Sequence, residues 1–492
     1  MNLKINNESF LYDAYGLVQA FYPGEKPKVY LNKEIEEENK DTTIELLVES
    51  DSIEMNVDGE KKGEISIDES NRPDTKNRLK RLIYQVLEQK TKHTLPWGTL
   101  TGIRPTKIPL KKLKNKESEE EVRLFMKETY LCSDEKISLA TEIAKRELSV
   151  VGEMGNKYAL YIGIPFCPSI CLYCSFSSYP LGLYKDKTDA YLDALIKEIA
   201  FCGGHFKDRV LDTIYMGGGT PSSLSASQFE RLLSAVEEHL DLSHLREFTV
   251  EAGRPDSITR DKLEVLANHN IDRISINPQT MHQKTLDLIG RFHSVEQIRE
   301  AYAMAREVSL EAKTRGKKGF LINMDLIVGL PGESKEDVAY TLSEIKKMAP
   351  DNLTVHSLAI KRSSRLNIQW EDYENEVFEN SDDIMVMVHK CAKELGMSPY
   401  YMYRQKQISG NLENIGFSPE GKECLYNIEI MEELCDIVAL GAGSACKKVG
   451  RDNKGGVDLK TKVERCENVK DVDLYMERID EMIERKRQLY QL

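Results

Sequence analysis

The chain has 492 residues, of which 40% are hydrophobic and 30% are charged, and it carries a net charge of −13 at pH 7. This length predicts two or three domains, and the acidic surface argues against nucleic acid as the main partner because it repels phosphate backbones. No apolar run approaches the ~20 residues of a membrane span, and the polar start lacks a signal peptide, so we expect a cytoplasmic protein with no membrane span.

Residues 1–150 are predicted to form an accessory α+β region. Alternating and β-branched residues in 29–31 and 43–57 favour short strands. Apolar residues recur at helical spacing from 77 to 91, and further helices are expected from about Ser118 and Ser133, the latter as an N-cap.

Three cysteines on one loop are the most specific feature of the chain. Cys167, Cys171 and Cys174 have the spacing C-x3-C-x2-C and follow the apolar run 158–164, which favours a buried parallel strand. Three thiolates on so short a loop suit one corner of a 4Fe–4S cluster and leave one iron open for a small molecule such as S-adenosyl-L-methionine (SAM). The alternatives are three packed, reduced cysteines or a structural zinc site, although zinc sites normally draw a second ligand pair from elsewhere in the chain.

From residue 157 onward, strand and helix signals alternate. Strands are predicted near Lys157, Asp212, Glu247, Asp272, Phe320 and Asn352, with helices over 184–201, 225–240, 260–269, 294–308 and 334–348. Six such units predict an α/β fold, a partial (βα)6 barrel, with its chemistry at the C-terminal ends of the strands.

Several motifs fall at those strand ends. The turn 217–221, GGGTP, lets backbone amides approach a charged group, unless it is simply a flexible connection. Glu251 and Gln279 end the third and fourth strands, where apolar runs stop. Asp325 lies inside the fifth strand, where a carboxylate needs either a ligand or a structural ion pair. Arg291 follows the fourth strand and is either a ligand contact or a surface arginine.

These motifs resemble those of radical SAM enzymes of the oxygen-independent coproporphyrinogen III oxidase family. Pro165, Phe166 and the three cysteines carry the resemblance, with Tyr173 at the aromatic position before the third cysteine, and it extends from about residue 161 to about 360. Outside that core, residues 97–107 (WGTLTGIRPTK) and the stretch 400–445 are similar to the HemZ-type coproporphyrinogen dehydrogenase branch.

The resemblance implies a radical SAM partial barrel over 151–361 and a family-specific C-terminal region over 362–492. It implies that Cys167, Cys171 and Cys174 hold the 4Fe–4S cluster. It also implies a set of residues that bind SAM, namely Tyr161, Tyr173, Gly218, Gly219, Thr220, Glu251, Gln279, Arg291, Asp325 and Ala359.

The implied reaction is the oxidative decarboxylation of coproporphyrinogen III propionates to vinyl groups, giving protoporphyrinogen IX, with a low-potential donor of the flavodoxin or ferredoxin type. A carboxylated macrocycle needs local cations, so Arg104 and Arg404, with Lys107 and Lys406 beside them, are candidate substrate contacts. Alternatively, these basic residues form a solvated loop or tie the accessory regions to the barrel.

Two departures from the family pattern keep other functions open. The best-known oxidases carry a further cysteine two residues past the third ligand, where this chain has Phe176. The haem-chaperone relatives carry a His-Asn-x-x-Tyr-Trp segment where this chain reads ECLYNI at 423–428. The alternatives are therefore a haem-binding or haem-transfer protein of the same superfamily, or a radical SAM enzyme acting on another tetrapyrrole.

Overall fold

The structure is a computed structural model that describes residues 1–22, 25–33, 41–68, 70–102, 104–152, 154–373, 380–405, 410, 412–450 and 463–491. The chain forms two compact units. The first is Met1–Lys145 with Tyr403–Glu413, and the second is Arg146–Met402 with Asn414–Leu492. The division into three regions at 150 and 361 stays a prediction. No helix among the described residues is long and apolar enough to cross a membrane.

The first unit is built on a five-stranded sheet in the order β2-β1-β3-β4-β5, which confirms the predicted α+β character. Its strands are β1 (Asn2–Ile5), β2 (Lys28–Leu31), β3 (Thr43–Val48), β4 (Ser52–Val57) and β5 (Glu60–Ser66). The helices of this part of the chain are α1 (Glu8–Phe21), α2 (Arg72–Thr91), α3 (Lys107–Lys114), α4 (Glu119–Tyr130) and α5 (Asp134–Val151).

Local caps explain where these helices begin. Ser118 forms a capping box with Glu121 at the start of α4. The Ser133 hydroxyl accepts a hydrogen bond from the Lys136 backbone N–H at 3.3 Å, so the predicted N-cap of α5 is confirmed. Helix α2 begins at Arg72, earlier than predicted, because the Asn71 side chain caps it.

The second unit contains the six predicted parallel strands as neighbours in one sheet, in the order β13-β12-β11-β10-β9-β6. They are β6 (Lys157–Ile164), β9 (Val210–Gly218), β10 (Glu247–Gly253), β11 (Arg273–Ile276), β12 (Leu321–Val328) and β13 (Asn352–Ser357). A separate two-residue pair, β7 (Phe166–Cys167) and β8 (Tyr179–Pro180), lies in the cysteine segment. The predicted α/β barrel architecture is confirmed.

Three of the connecting helices start where the sequence predicted, because Ser225, Ser294 and Ser334 each form a capping box. The helix predicted over 184–201 instead begins at Thr188 and extends to His205. The helices between these strands are α6 (Leu181–Tyr184), α7 (Thr188–His205), α8 (Ala226–His239), α9 (Arg260–Asn268), α10 (Gln283–Leu288), α11 (Val295–Thr314) and α12 (Lys335–Met348).

The rest of the chain extends the sheet at both edges to eleven strands, which the sequence did not reveal. On one edge β15 (Asn414–Ser418) pairs antiparallel with β13, followed by β14 (Ser398–Tyr403). On the other, β16 (Asp436–Leu440) pairs parallel with β6, followed by β17 (Ala445–Lys448) and β18 (Glu464–Glu467). The helices here are α13 (Arg365–Ile368), α14 (Trp370–Tyr373), α15 (Asp382–Glu394), α16 (Leu425–Glu432), α17 (Val472–Glu477) and α18 (Ile479–Tyr490).

Candidate active site

The cysteine loop begins at the C-terminal end of β6 and returns to it. The backbone N–H of Tyr179 donates to the Pro165 carbonyl at 2.8 Å, which closes the segment. Within the loop, Leu172 is buried in an apolar cluster with Ile289 and Leu366, and its N–H donates to the Ile289 carbonyl at 2.9 Å. The loop is therefore fixed from inside by an apolar anchor, while all three cysteine side chains remain partly exposed.

The glycine turn is bonded directly to the segment that leads into the first cysteine. The N–H of Gly219 donates to the Ile164 carbonyl at 2.7 Å, and the N–H of Thr220 donates to the Phe166 carbonyl at 2.8 Å. A side chain at Gly219 would place its Cβ 2.7 Å from the Phe166 oxygen, so only glycine allows this approach. Backbone hydrogen bonds therefore hold the glycine turn against the cysteine loop.

The three thiols form a donor set that fits an iron–sulfur cluster. Cys167, Cys171 and Cys174 are free thiols. The Thr220 hydroxyl donates to the Cys167 sulfur at 3.4 Å, and Arg254 Nη1 donates to the Cys171 sulfur at 3.8 Å. Each cysteine ligand of a cluster binds its own iron. Within the described ranges, no group of three or more His, Cys, Asp and Glu side chains is arranged to hold a single metal ion.

Burial keeps two of these thiols protonated before ligation. It raises the pKa of Cys167 to about 11, against the opposing hydrogen bond from Thr220, and it also raises the pKa of Cys174. Metal ligation requires thiolates, so binding a cluster here must release protons.

One face of the parallel sheet carries a stack of tyrosines beside the glycine turn. Tyr161 and Tyr215 are register partners on β6 and β9, and their rings stack at 6.3 Å between centroids. Tyr426 of α16 stacks on Tyr215 at 4.6 Å. The family resemblance implied a role for Tyr161, whereas the other two tyrosines were missed. Tyr215 carried only the period-2 alternation of its strand, and Tyr426 carried no signal.

Glu251 lies at the end of β10 against this tyrosine stack. The Tyr215 hydroxyl donates to Glu251 Oε1 at 2.5 Å. Burial raises the pKa of Glu251 to about 7, against the hydrogen bonds from Tyr215 and from the Gly218 backbone, and the charge of Asp325 raises it further. The carboxyl therefore changes its proton occupancy near neutral pH.

Asp325 and Gln279 are joined through the backbone next to this face. The Gln279 N–H donates to the Asp325 carbonyl at 3.0 Å, and the Asp325 carboxylate accepts a bond from Asn323 Nδ2 at 2.7 Å. His356 Nε2 lies 3.9 Å from the other carboxylate oxygen. Asp325 thus has polar neighbours on the sheet face and a partly exposed carboxylate.

Two buried amide oxygens at these strand ends have no hydrogen-bond partner within the described part of the chain. They are Oδ1 of Asn277 and Oε1 of Gln279. Buried polar atoms are normally satisfied in proteins, so these acceptors fit a ligand that donates hydrogen bonds. An amine or a ribose hydroxyl, both present in SAM, is such a donor.

Arg291 is buried, so the surface-arginine alternative is wrong. Its side chain is only 3% exposed, because its guanidinium is held between two strand ends and the cysteine loop. It donates to the Asn277 carbonyl at 2.6 Å, to the Gly253 carbonyl at 3.5 Å and to the Tyr173 hydroxyl at 3.2 Å. Ala359 follows the end of β13 and is partly exposed.

A charged pair that was not predicted lies behind the second cysteine. Arg254 is 3% exposed and forms two hydrogen bonds with Asp256, at 3.0 and 2.8 Å, while it also donates to the Ser169 hydroxyl at 2.9 Å. The only available signal was the arginine and aspartate that follow Glu251 in EAGRPD.

The candidate substrate residues Arg104 and Arg404 both lie in the first unit. Arg404 is 3% exposed, donates to the Leu100 carbonyl at 2.6 Å and lies over the Trp97 ring. Burial lowers the pKa of Arg404 to about 10, against the attraction of Glu413. Lys406 lies outside the described residues, and a substrate contact by any of these side chains stays a prediction.

Comparison with known proteins finds similar sequences and one similar fold. The sequence pattern of the Radical SAM superfamily matches residues 161–345. The oxygen-independent coproporphyrinogen-III oxidase-like protein HemZ of Bacillus subtilis is 41% identical over 417 residues, which cover 84% of this chain and 80% of that protein. The heme chaperone HemW of Lactococcus lactis is 35% identical over 234 residues, which cover 46% of this chain and 58% of that protein.

The solved structure of coproporphyrinogen III oxidase HemN from Escherichia coli matches with a TM-score of 0.51. The match covers 69% of this chain and 73% of that one, at 22% sequence identity. At this identity, the likeness shows a shared fold.

Proposed function

The chain belongs to the radical SAM family of oxygen-independent coproporphyrinogen III oxidase-like proteins, and we propose that it oxidatively decarboxylates coproporphyrinogen III propionates to vinyl groups. Its cofactors are a 4Fe–4S cluster and SAM. The observation that carries the proposal is the backbone bonding of the glycine turn to the segment that enters the three-cysteine loop. This contact holds the elements assigned to the two cofactors together at one end of the sheet.

Cys167, Cys171 and Cys174 are the proposed cluster ligands. They would hold a cluster that, together with SAM, would supply the radical hydrogen-abstraction chemistry that oxidative decarboxylation of a propionate requires. Thr220 and Arg254 donate hydrogen bonds toward the sulfurs of Cys167 and Cys171, and these contacts orient the two side chains for ligation.

The proposed SAM site uses the polar groups that the strand ends leave available. The partner-free oxygens of Gln279 and Asn277 and the carboxylate of Asp325 accept hydrogen bonds from the ligand. The glycine turn admits the ligand close to the backbone at Gly218. Arg291 acts indirectly, since it fixes Tyr173 and the two strand ends around the ligand.

A low-potential electron donor of the flavodoxin or ferredoxin type completes the proposal. Coproporphyrinogen III is the proposed substrate because the HemZ relative carries the oxidase-like description across 84% of this chain.

An anaerobic assay tests the proposal. Reconstituted protein, reductant, SAM and coproporphyrinogen III are incubated, and tetrapyrrole products are resolved by mass. We expect stepwise loss of the elements of formic acid from each of two propionates, together with 5′-deoxyadenosine. The Cys174→Ala variant should lose both products and the brown chromophore. Cys391→Ala, which removes a buried thiol of α15, should retain them. Deoxyadenosine without a decarboxylated tetrapyrrole would refute the substrate assignment.

Haem handling is a second candidate function, favoured by one feature of the cysteine loop. Phe176 lies two residues beyond Cys174 and is 74% exposed. The loop therefore presents an apolar ring at the position where the best-known oxidases carry a cysteine. An exposed aromatic side chain is suited to stacking on a macrocycle. Stoichiometric haem binding that Phe176→Ser abolishes, without deoxyadenosine formation from coproporphyrinogen III, would decide for this function.

A further inference from the structure

Two cysteines that the proposed reaction does not use lie opposite each other at the edge of the large sheet. Strands β17 and β18 pair antiparallel with Cys446 in register with Cys466. Directly opposed residues in such a pair have Cα atoms about 4.5 or 5.5 Å apart and side chains on the same face. Both separations lie within the range that a disulfide accepts.

The two thiols differ in their exposure. Cys446 is 1% exposed, whereas Cys466 is partly exposed on β18, which is the last strand of the sheet order. A reagent from solution therefore reaches Cys466 first, and Cys446 lies behind it as the partner that completes a bond.

The surroundings of Cys446 favour its thiolate. Burial and the charge of Glu198 raise its pKa, but the hydrogen bond from the Cys466 thiol, the nearby Lys486 ammonium and the Ala439 N–H outweigh them and lower the pKa below that of an ordinary thiol. The Ala439 N–H donates to the Cys446 sulfur at 3.2 Å. The pair therefore consists of one accessible thiol and one thiol poised as a nucleophile.

We propose that Cys446 and Cys466 form a redox site separate from the cysteine triad. Low-molecular-weight disulfides oxidise this pair to a reversible intramolecular disulfide. The geometric basis is the cross-strand register, and the chemical basis is the unequal exposure of the two sulfurs. Disulfides in reducing compartments are usually transient and sensing, so a reversible bond agrees with the compartment expected for this chain.

The exchange runs in two balanced steps. The hydrogen bond that favours the Cys446 thiolate raises the pKa of Cys466, so the Cys466 thiol passes its proton to Cys446 as it attacks one sulfur of the small disulfide. This attack forms a mixed disulfide and releases one small thiolate. Cys446 then loses that proton, and its thiolate attacks the Cys466 sulfur and releases the second small thiolate. The protein loses two electrons and two protons overall, and the small disulfide is reduced to two thiols.

The bond would join the edge strand to a continuous set of paired strands. β17 pairs with β16, and β16 pairs in parallel with β6, which leads into the cysteine loop. The turn between β16 and β17 contacts the same strand through Tyr191, whose hydroxyl accepts from the Ala442 N–H at 3.1 Å and donates to the Gly163 carbonyl at 2.7 Å. Oxidation therefore fixes the outer strands of the sheet that carries the proposed cluster loop.

The test exposes the cluster-loaded protein to oxidised glutathione without oxygen, then alkylates the remaining thiols and maps peptides without reduction. We expect one cross-linked peptide pair joining Cys446 to Cys466, which dithiothreitol cleaves. The intact mass should fall by two hydrogen atoms and return on reduction. Cys446→Ser and Cys466→Ser should each abolish the cross-link, and Cys391→Ser should keep it.

Three outcomes would overturn the inference. Separate alkylation of both cysteines after exposure shows that they do not pair. Glutathione retained on Cys466 in the wild-type protein shows that Cys446 does not complete the exchange. A cross-link to any other cysteine assigns the reactivity elsewhere. Because the readout is covalent, it does not depend on the proposed tetrapyrrole activity.

Discussion

At Glu251 the folded chain holds a carboxyl group whose pKa burial raises from 4.5 to about 7. Between pH 4.5 and 7, this carboxyl is therefore protonated in the folded protein and ionised in the unfolded chain. The stability that this proton contributes is fully present below about pH 4.5 and is lost as the pH rises through 7. Linkage places this loss at up to about 3 kcal/mol.

Glu251→Gln should remove this pH dependence while its amide oxygen still accepts the Tyr215 hydroxyl. We expect the free energy of unfolding to fall more steeply between pH 5 and 8 in the wild-type protein than in the variant, by up to about 3 kcal/mol. Chemical denaturation without SAM measures the free energy of unfolding at each pH. The control is Glu300→Gln, which changes an exposed glutamate. Equal slopes in all three proteins would mean that Glu251 titrates normally.

Asp325→Asn tests the proposed SAM contact. The variant keeps an oxygen for the Asn323 hydrogen bond but loses the negative charge. Loss of a charge-assisted hydrogen bond costs about 1.5–3 kcal/mol, so we expect SAM affinity to fall about ten- to hundredfold while iron content stays unchanged. Calorimetry on reconstituted protein measures the SAM affinity of the wild-type protein and of the variant. Wild-type affinity would show that Asp325 has only a structural role.

Among the site residues, those whose position follows from strand periodicity could be predicted from the sequence. Glu251 and Gln279 could be placed at strand ends because apolar runs stop there. The burial of Arg291 could not be predicted, because it depends on carbonyls of two neighbouring strand ends converging on one guanidinium. Arg254 was missed for the same reason: its partners Ser169 and Cys171 are distant in sequence.

Among the elements, the glycine turn depends on the absence of a side chain at Gly219. Gly219→Ala would place a Cβ 2.7 Å from the Phe166 oxygen and 2.8 Å from the Pro165 carbonyl carbon, so the turn and the cysteine segment must separate. We expect a loss of stability of about 1–3 kcal/mol and a lower iron content after reconstitution.

The control for this element is Gly204→Ala, whose Cβ in α7 would have no neighbour within 4 Å. This variant should keep its iron and gain about 0.5–1 kcal/mol of stability, since alanine is the better helix former. Full iron content in Gly219→Ala would show that the turn does not position the cysteine loop.

Helices α7 and α18 are joined by a buried ion pair. Lys486 is 1% exposed and its Nζ lies 2.5 Å from Glu198, which also accepts from Tyr475 at 2.7 Å and from the Gly441 N–H at 2.8 Å. Asn468 donates to the same carboxylate at 2.9 Å. Removing the cation leaves a buried, uncompensated carboxylate.

Lys486→Met should therefore cost about 3–5 kcal/mol of unfolding free energy. The matched control is Lys197→Met, which breaks an exposed ion pair with Asp480 between the same two helices and should cost at most about 1 kcal/mol. Denaturant titration compares the two variants, and equal losses would show that burial does not decide the strength of this contact.

For the molecule as a whole, the barrel could be predicted because six strand signals alternate with helix signals and serine caps mark helix starts. The outer strands of the sheet could not be predicted from the sequence. β16 consists of an aspartate and four apolar residues, a run too short for periodicity alone to assign, and its pairing with β6 joins residues far apart in sequence. Helix α16 was missed because its place depends on contacts with distant residues, such as the stacking of Tyr426 on Tyr215.

The net charge of the protein affects how readily the substrate approaches it. The chain carries −13, and the proposed substrate is a tetra-carboxylate, so long-range forces oppose their encounter. Salt screens this repulsion, since the Debye length falls from about 30 Å at 0.01 M to about 8 Å at 0.15 M. We expect the KM for coproporphyrinogen III to fall over this range while kcat stays constant.

SAM provides the internal control, because its net positive charge reverses the sign of the interaction. Its KM should rise over the same range of salt, as screening weakens attraction to the acidic chain. If the KM for coproporphyrinogen III rises as well, local cations rather than net charge govern its binding. Arg104→Ala would then be the first substitution to examine, because Arg104 is partly exposed whereas Arg404 is buried against Trp97.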